Sequence, residues 1–502
     1  MQDHGGDRRP AGETFGRAPF RRLLREEEEA IVSLDRLFYP RSIAVVGASE
    51  SLGGGKLPYF QILQHVGFPG PLYPVNPKHE RVGGVRAYPS IEDLPEGVDL
   101  AIVAVPVRQA LEVIRAAVRK KIPFVHFFTS GFSEAGNRKL EEDLVREARK
   151  GGVRIVGPNG VGVYCQESRL SFGPGIQEGP PGMVAFLGQS GGITGNFMAT
   201  AATRKIPVNK AVSYGNQIDL RVEDFLEYLA DDSEIRLIAC YIEDVKDGRR
   251  FLQVLRHTTA KKPVVILKGG RTETGARAAA SHTGALAGND QIWTAAVKQH
   301  GAILTENFDQ LMNLVMLATA PKPIRGKRVG FVGAGGGISV LFTDLAVRAG
   351  LSLPELEEKT QRRIGLWIKE VNTSTANPVD LGAFGFDLRV MTETMKALDD
   401  DANIDVIIPY FLVEYLLRSE VLLKVKNSEE SFFEMAREIQ KPVIPILSCF
   451  VEDNLDLERT RISTFAAMRK AGFPVYPRIQ DAVYVIGVYF QWLEQRRRLK
   501  VL

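Results

Sequence analysis

Cysteine is scarce in this chain: 502 residues hold three, Cys165, Cys240 and Cys449, with no CxxC pair among them. That excludes a disulfide scaffold and a thiolate metal site, and implies a reducing compartment, the cytoplasm. Long apolar runs are also missing; no stretch of about 18 apolar residues occurs, so no helical membrane span is expected. Charge of one sign is not in excess. Lys and Arg number 64 against 60 Asp and Glu, for a formal net charge of +4, so no bulk field draws nucleic acid. The amino-terminal stretch has basic residues without a following apolar segment, which does not read as a signal peptide. Residues 1–33 are expected to form a disordered tail and a charged helix.

What the chain has instead is glycine in a repeated context. Buried-strand patterns run into glycine-rich turns and then into helices at RSIAVVGAS, MVAFLGQSGG and RVGFVGAGGG, with entry glycines Gly47, Gly188 and Gly333. Free backbone N–H groups and the helix dipole at such a turn favour an anion. Alternating strands and helices imply a fold of the α/β class: three doubly wound parallel-sheet domains with sites at the strand C-termini. The expected extents are 34–165 for the first domain, 166–322 for the second and 323–502 for the third. In the first domain, the strand PLYPVNPKH ends without the acidic residue that would hold a ribose hydroxyl. It offers Lys78 instead, which disfavours a dinucleotide and fits a large phosphorylated ligand.

The second and third domains read as an internal repeat: GNQIDL answers ANPVDL, and EIRLIACYIED answers NIDVIIPYFLV. The copies differ where chemistry is possible. Glu243 stands at a strand end where the sister copy has Leu412. The small-residue segment AAASHTGALAG, read as a loop with His282 near its middle, has no counterpart after Cys449. A carboxylate bonded to one imidazole nitrogen makes the other a better nucleophile. Ser190, Gly191 and Gly192, opening a helix at the same sheet edge, would hold the anion that the imidazole attacks or carries. Together these describe a phosphohistidine site. An acyl-CoA sensor or scaffold without catalysis, and a dinucleotide-dependent oxidoreductase, are the alternatives.

LDRLFYPRSIAVVGAS, PVNPKH, AYPSIEDLP, FTSGFSE, GPNGVG, GQSGG, GNQIDL and SHTGALAG occur in this order. The series resembles the ADP-forming (NDP-forming) acyl-CoA synthetases, relatives of succinyl-CoA synthetase, over roughly residues 34 to 500. The resemblance implies a Rossmann-like CoA-binding domain followed by two flavodoxin-like domains, as in the α subunits of the two-subunit enzymes. It matches His282 to the phosphorylated histidine, Glu243 to its supporting carboxylate, and Ser190, Gly191 and Gly192 to the phosphate-receiving helix start. Gly47, Ala48, Ser49, Gly53, Lys78, Pro106, Thr129 and Ser130 match positions around coenzyme A. No metal ligand is implied in this chain. ADP or ATP and Mg²⁺ are expected through a separate ATP-grasp β subunit in a hetero-oligomer, the small-molecule partners being a carboxylic acid and its acyl-CoA. Two positions depart from the family: Gly160 replaces the cysteine of GPNCxG, and Gly195 stands where the succinate branch has a tyrosine, which implies a roomier acid pocket.

Overall fold

Strands short enough to be buried on both faces come first in each unit, and their composition explains their burial. The runs IAVV and LAIV are apolar throughout, as parallel strands covered by helices on both sides must be. The computed structural model describes residues 33–50, 57–173, 175, 177, 179–283, 289–369, 371–416, 436 and 438–501; the side chains of 280–283 and 499–501 lie outside this description. The tail and charged helix expected over residues 1–33 therefore fall outside it, Ser33 apart, as does Gly53.

The first sheet comprises β1 (Ile43–Val46), β2 (Leu72–Val75), β5 (Leu100–Val103), β6 (Phe124–Phe127) and β7 (Arg154–Val156), all parallel, in the order β2-β1-β5-β6-β7. A small hairpin, β3 (Arg81–Val82) and β4 (Val85–Arg86), hangs beside it. Strand order reverses around β1, so the crevice between the ends of β1 and β5 is the topological switch point, where ligands of open α/β sheets bind. Helices Ala110–Arg119 and Arg138–Lys150 connect β5 to β6 and β6 to β7.

The second sheet has the order β13-β12-β11-β9-β10-β8. It is built from β9 (Val184–Gly188), β10 (Val208–Ser213), β11 (Leu237–Ile242), β12 (Val264–Lys268) and β13 (Ile303–Thr305), all parallel, with β8 (Gly162–Cys165) antiparallel at the edge. Since β8 pairs with β10, the chain has already crossed into the second sheet before residue 165. The third sheet orders β15 (Val379–Asp380), β14 (Val329–Gly333), β16 (Val406–Leu412) and β17 (Ile446–Ser448), again parallel. The chain is thus α/β with mostly parallel sheets, as its strand–turn–helix pattern implies.

The internal repeat extends to packing. Phe186 stacks on Phe197 with ring centroids 3.9 Å apart, and Phe331 stacks on Phe342 at 4.0 Å. Both rings of the second pair lie 145 residues beyond those of the first (331 − 186; 342 − 197), the same offset as Gly188 to Gly333. The carboxy-terminal helix Ile479–Val501 returns to the second unit, where Trp492 Nε1 donates to Gly301 O at 3.0 Å.

One local expectation is corrected. The segment around His282 does not leave the β12 turn as a loop; residues Glu273–Thr283 form a helix that includes the His282 backbone. The alanines of GARAAA favour helix, and the Thr272 hydroxyl accepts from Gly275 N at 3.0 Å, capping the first turn. Gly284 and Gly288 lie outside the described residues.

Candidate active site

The glycine turn after β1 is shaped by what lies over it. Gly47 has φ +89°, and a Cβ there would come within 2.7 Å of Ala104 O at the end of β5. Only glycine fits that switch-point contact. The next residues are tied to the end of β2: Asn76 Nδ2 donates to Ala48 O at 2.6 Å and Asn76 Oδ1 accepts from Lys78 N at 2.9 Å. Gln61 Nε2 donates to Ser49 O at 2.9 Å. Asn76 thus bridges Ala48 to Lys78, leaving the Lys78 side chain exposed on its turn.

Across the switch point a cavity of about 480 Å³ opens. Pro106, Thr129 and Ser130 line it from the first sheet, and Ser190, Gly191 and Gly192 line it from the second. Sequence motifs assigned these residues to two separate tasks; the fold brings them to one space. Gly47, Ala48, Ser49 and Lys78 lie outside this lining, although Gly47 abuts Ala104 and Val105, which belong to it. Thr129 Oγ1 donates to Val105 O at 2.7 Å, so its hydroxyl fixes the β5 turn.

His126 supports the same wall and was not singled out by any motif. It is buried on β6, and its Nε2–H donates to Gly160 O at 2.8 Å. Burial pushes its pKa down to about 4, so the ring is neutral. A Cβ on Gly162 would lie within 2.4 Å of that ring, which accounts for glycine there.

In the second sheet, Ser190 caps helix Gly191–Arg204, its hydroxyl accepting from Ile193 N at 3.4 Å. The corresponding helix start in the third unit is used differently. There Asp380 Oδ1 accepts from Gly335 N and Gly382 N, each at 2.9 Å, so a carboxylate of the chain itself occupies the turn. Of the two repeated starts, the one at Ser190 is capped by a neutral side chain and faces the cavity.

Glu243 follows β11, whose parallel neighbours are β9 and β12, and is 7% exposed. Gln189 holds this corner. Its Oε1 accepts from Glu243 N at 2.8 Å and from Asp244 N at 3.0 Å, and its Nε2 donates to the Asp244 carboxylate. Gln217 Nε2 donates to the same carboxylate at 2.9 Å, and Lys246 pairs with it at 2.8 Å. The Tyr241 hydroxyl donates to the Glu243 side chain; burial, then the Glu243 charge, raise the phenol's pKa. Lys268 Nζ donates to Glu243 O at 2.6 Å, and burial lowers the pKa of that ammonium. Sequence gave no role to Gln189, Gln217, Asp244 or Lys268. The one local signal was position, since Gln189 precedes the helix cap and Asp244 follows Glu243.

The segment bearing His282 starts against this corner. A Cβ on Gly269 would lie 2.6 Å from the Tyr241 hydroxyl and 3.3 Å from Glu243 Cγ. Arg271 then pairs with Asp290 through two bonds of 2.8 and 3.1 Å, tying the start of the excursion to its end. His282 lies on the backbone between these anchors; its side chain is outside the described residues. In the sister unit, the strand end at Leu412 is followed by Glu414, whose Oε1 accepts from Phe450 N at 2.6 Å and Val451 N at 3.0 Å. That carboxylate caps the backbone of the neighbouring turn after β17.

Among the described residues no group of three or more His, Cys, Asp or Glu side chains could hold a metal ion, and no helix is long and apolar enough to cross a membrane.

Comparison with known proteins places these features in context. The profile of a CoA-binding domain matches residues 41–166, and that of a succinyl-CoA-ligase-like flavodoxin domain matches residues 181–318. The chain is 36% identical to the Acetate–CoA ligase [ADP-forming] II subunit alpha of Pyrococcus furiosus, over 90% of this chain and 99% of that protein. It is 32% identical to the corresponding I subunit alpha of the same organism, over 93% of this chain and 100% of that protein. Among solved structures, the dinucleotide-forming acetyl-coenzyme A synthetase 1 of Ca. Korarchaeum cryptofilum, in complex with phosphate and ADP, superposes with a TM-score of 0.81 at 29% identity. The match covers 94% of this chain and 99% of that one.

Proposed function

The chain belongs to the ADP-forming acetate–CoA ligase family, beside its α subunits, and on that premise we propose that it is the CoA-binding, phosphohistidine-carrying subunit of an ADP-forming acyl-CoA synthetase. The reaction is acyl-CoA + ADP + phosphate ⇌ acid + CoA + ATP. Residues 34–165 bind CoA, residues 166–322 carry the histidine, and residues 323–502 form a second flavodoxin-like unit. An ATP-grasp β subunit in the cytoplasm supplies the ADP and Mg²⁺ sites.

The observation that carries this reading is the shared cavity, which puts the Pro106, Thr129 and Ser130 wall opposite the helix start at Ser190–Gly192. A thioester held along the first wall presents its carbonyl to an anion held at the second. Phosphate oxygen attacks that carbonyl, the C–S bond breaks, and CoA leaves as thiolate, giving an acyl phosphate. The His282 imidazole then attacks phosphorus; a P–N bond forms, the P–O bond to the acyl group breaks, and the carboxylate leaves. The amides at Gly191 and Gly192 stabilise the transferring group, since helix-start N–H groups favour an anion. Glu243 stabilises the proton on the other ring nitrogen. The phosphoryl group finally passes to ADP on the partner.

The residues near the cavity fit coenzyme A in kind: backbone amides at the Gly47 turn and the Lys78 ammonium suit phosphates, and the Thr129–Ser130 turn suits the amide-bearing arm. The test is chemical. With its partner, acyl-CoA, inorganic phosphate and Mg²⁺, the chain acquires one phosphoryl group that is labile in acid and stable in base. His282→Ala abolishes it. Label that persists in this variant, or that maps to serine or aspartate, overturns the proposal.

A further inference from the structure

A second, larger cleft, of about 840 Å³, lies between helix Arg138–Lys150 and the turns after β10 and β11, with Asn216 and Gln217 in its lining. Asn159, which lines the first cavity, approaches Asn216, which lines the cleft, with Nδ2 3.4 Å from Oδ1.

The cleft is basic, and its cations come from three separate segments. Arg138 and Arg149 stand eleven residues apart on the helix, three turns along one face and about 16 Å from end to end. Arg221 and Lys246 face them from the second unit. Arg146 and Lys150 also line the cleft but pair with Asp143 and Glu147 on their own helix. Of the two acidic lining residues, Glu141 is engaged by the Ser133 hydroxyl at 2.8 Å and Asn216 Nδ2 at 2.9 Å, while Glu142 is exposed on the rim. Arg138, Arg149 and Arg221 form no ion pair with any described residue.

Guanidinium groups lining one cleft present planar donors that match phosphate oxygens. A recess of this volume falls in the range of sites for small molecules, which favours a compact ligand over a protein segment. We infer that this cleft is a second anion site, taking a short chain of phosphoryl groups such as a nucleoside polyphosphate or inorganic polyphosphate carries. The site is coupled to the first through Lys246. That ammonium lines the cleft and also pairs with Asp244, the carboxylate on which Gln189 and Gln217 converge beside Glu243. A bound polyanion competes with Asp244 for it.

The test is calorimetry on the full chain without a partner, titrated with tripolyphosphate, ATP, ADP and, separately, CoA. Wild-type protein binds tripolyphosphate, ATP or both, with affinity that falls at high ionic strength. The double variant Arg138→Gln/Arg149→Gln, exposed at both positions and checked for an unchanged melting temperature, loses about tenfold or more in that affinity. Arg221→Gln, at the opposite wall, gives the same direction. Binding of both tripolyphosphate and ATP identifies the phosphate chain itself; binding of ATP and ADP alone identifies a nucleotide; binding of tripolyphosphate alone identifies the inorganic chain. No binding by wild type, or equal binding by the folded double variant, overturns the inference. CoA affinity is read separately: it stays within about twofold in the double variant, and its absence in wild type counts against the proposed function and not against the cleft.

Discussion

Gln189 Oε1 lies 2.8 Å from the backbone nitrogen of Glu243 and 3.0 Å from that of Asp244. One side-chain amide thus fixes two consecutive residues of a neighbouring strand end and also meets the second carboxylate. Its own backbone is tied to β11, because Gln189 N donates to Tyr241 O at 3.0 Å. The helix cap at Ser190 and the carboxylate at Glu243 are therefore held at a constant separation by one residue between them.

Gln189→Ala leaves two buried N–H donors without an acceptor, at about 1–3 kcal/mol each. Urea denaturation is expected to show that loss of stability, and turnover to fall further than stability accounts for. Glu243→Gln keeps a hydrogen-bonding side chain near Tyr241 and removes only the charge. It is expected to slow phosphoryl transfer on the order of 10²–10⁴-fold with CoA affinity unchanged. Wild-type transfer rates in Glu243→Gln would remove this carboxylate from the chemistry; lost CoA affinity would make it structural.

Lys78 is held by its backbone and offers an exposed ammonium at the end of β2. Paired with a phosphate of CoA, it makes Lys78→Ala weaken binding by about 1–3 kcal/mol, measurable by calorimetry. Gly47→Ala acts through shape. It forces a Cβ to within 2.7 Å of Ala104 O at a φ of +89°. The cost is about 1–3 kcal/mol of stability, and CoA affinity falls with the displaced turn. Wild-type CoA affinity in Lys78→Ala would exclude that residue from the site.

His126 makes stability depend on pH with a definite sign. Its folded pKa, about 4, lies below the ordinary value of 6.5, so the unfolded chain binds the proton first. Its contribution is present above the unfolded value and is lost as pH falls from 6.5 toward 4. Between pH 7 and pH 5 this is worth about 2 kcal/mol. His126→Gln retains an N–H donor for Gly160 O and is expected to flatten that part of the stability–pH curve. An unchanged slope in the variant would assign the pH dependence elsewhere.

Much of this architecture is local enough to be legible in the sequence. A strand buried on both faces has to be apolar throughout, and a glycine turn followed by a helix announces itself over a dozen residues, so the three strand–turn–helix entries could be read directly. The internal repeat also fixed where the copies diverge, at Glu243 and at the segment of His282. The segment of His282, expected as a loop from its small residues, is helical over Glu273–Thr283 because its run of alanines favours helix and Thr272 caps the first turn.

Convergence was beyond the sequence. Nothing in GQSGG or FTSGF says that Ser190 and Ser130 line one cavity, that Gln189 rather than a neighbour grips Glu243, or that His126 holds Gly160 in place. Those contacts join residues 34 to 60 positions apart, and they depend on which strands are adjacent and in what register. Periodicity and turn chemistry act within one element and set what each piece is. Strand order, decided by the packing of the whole sheet, sets which pieces meet.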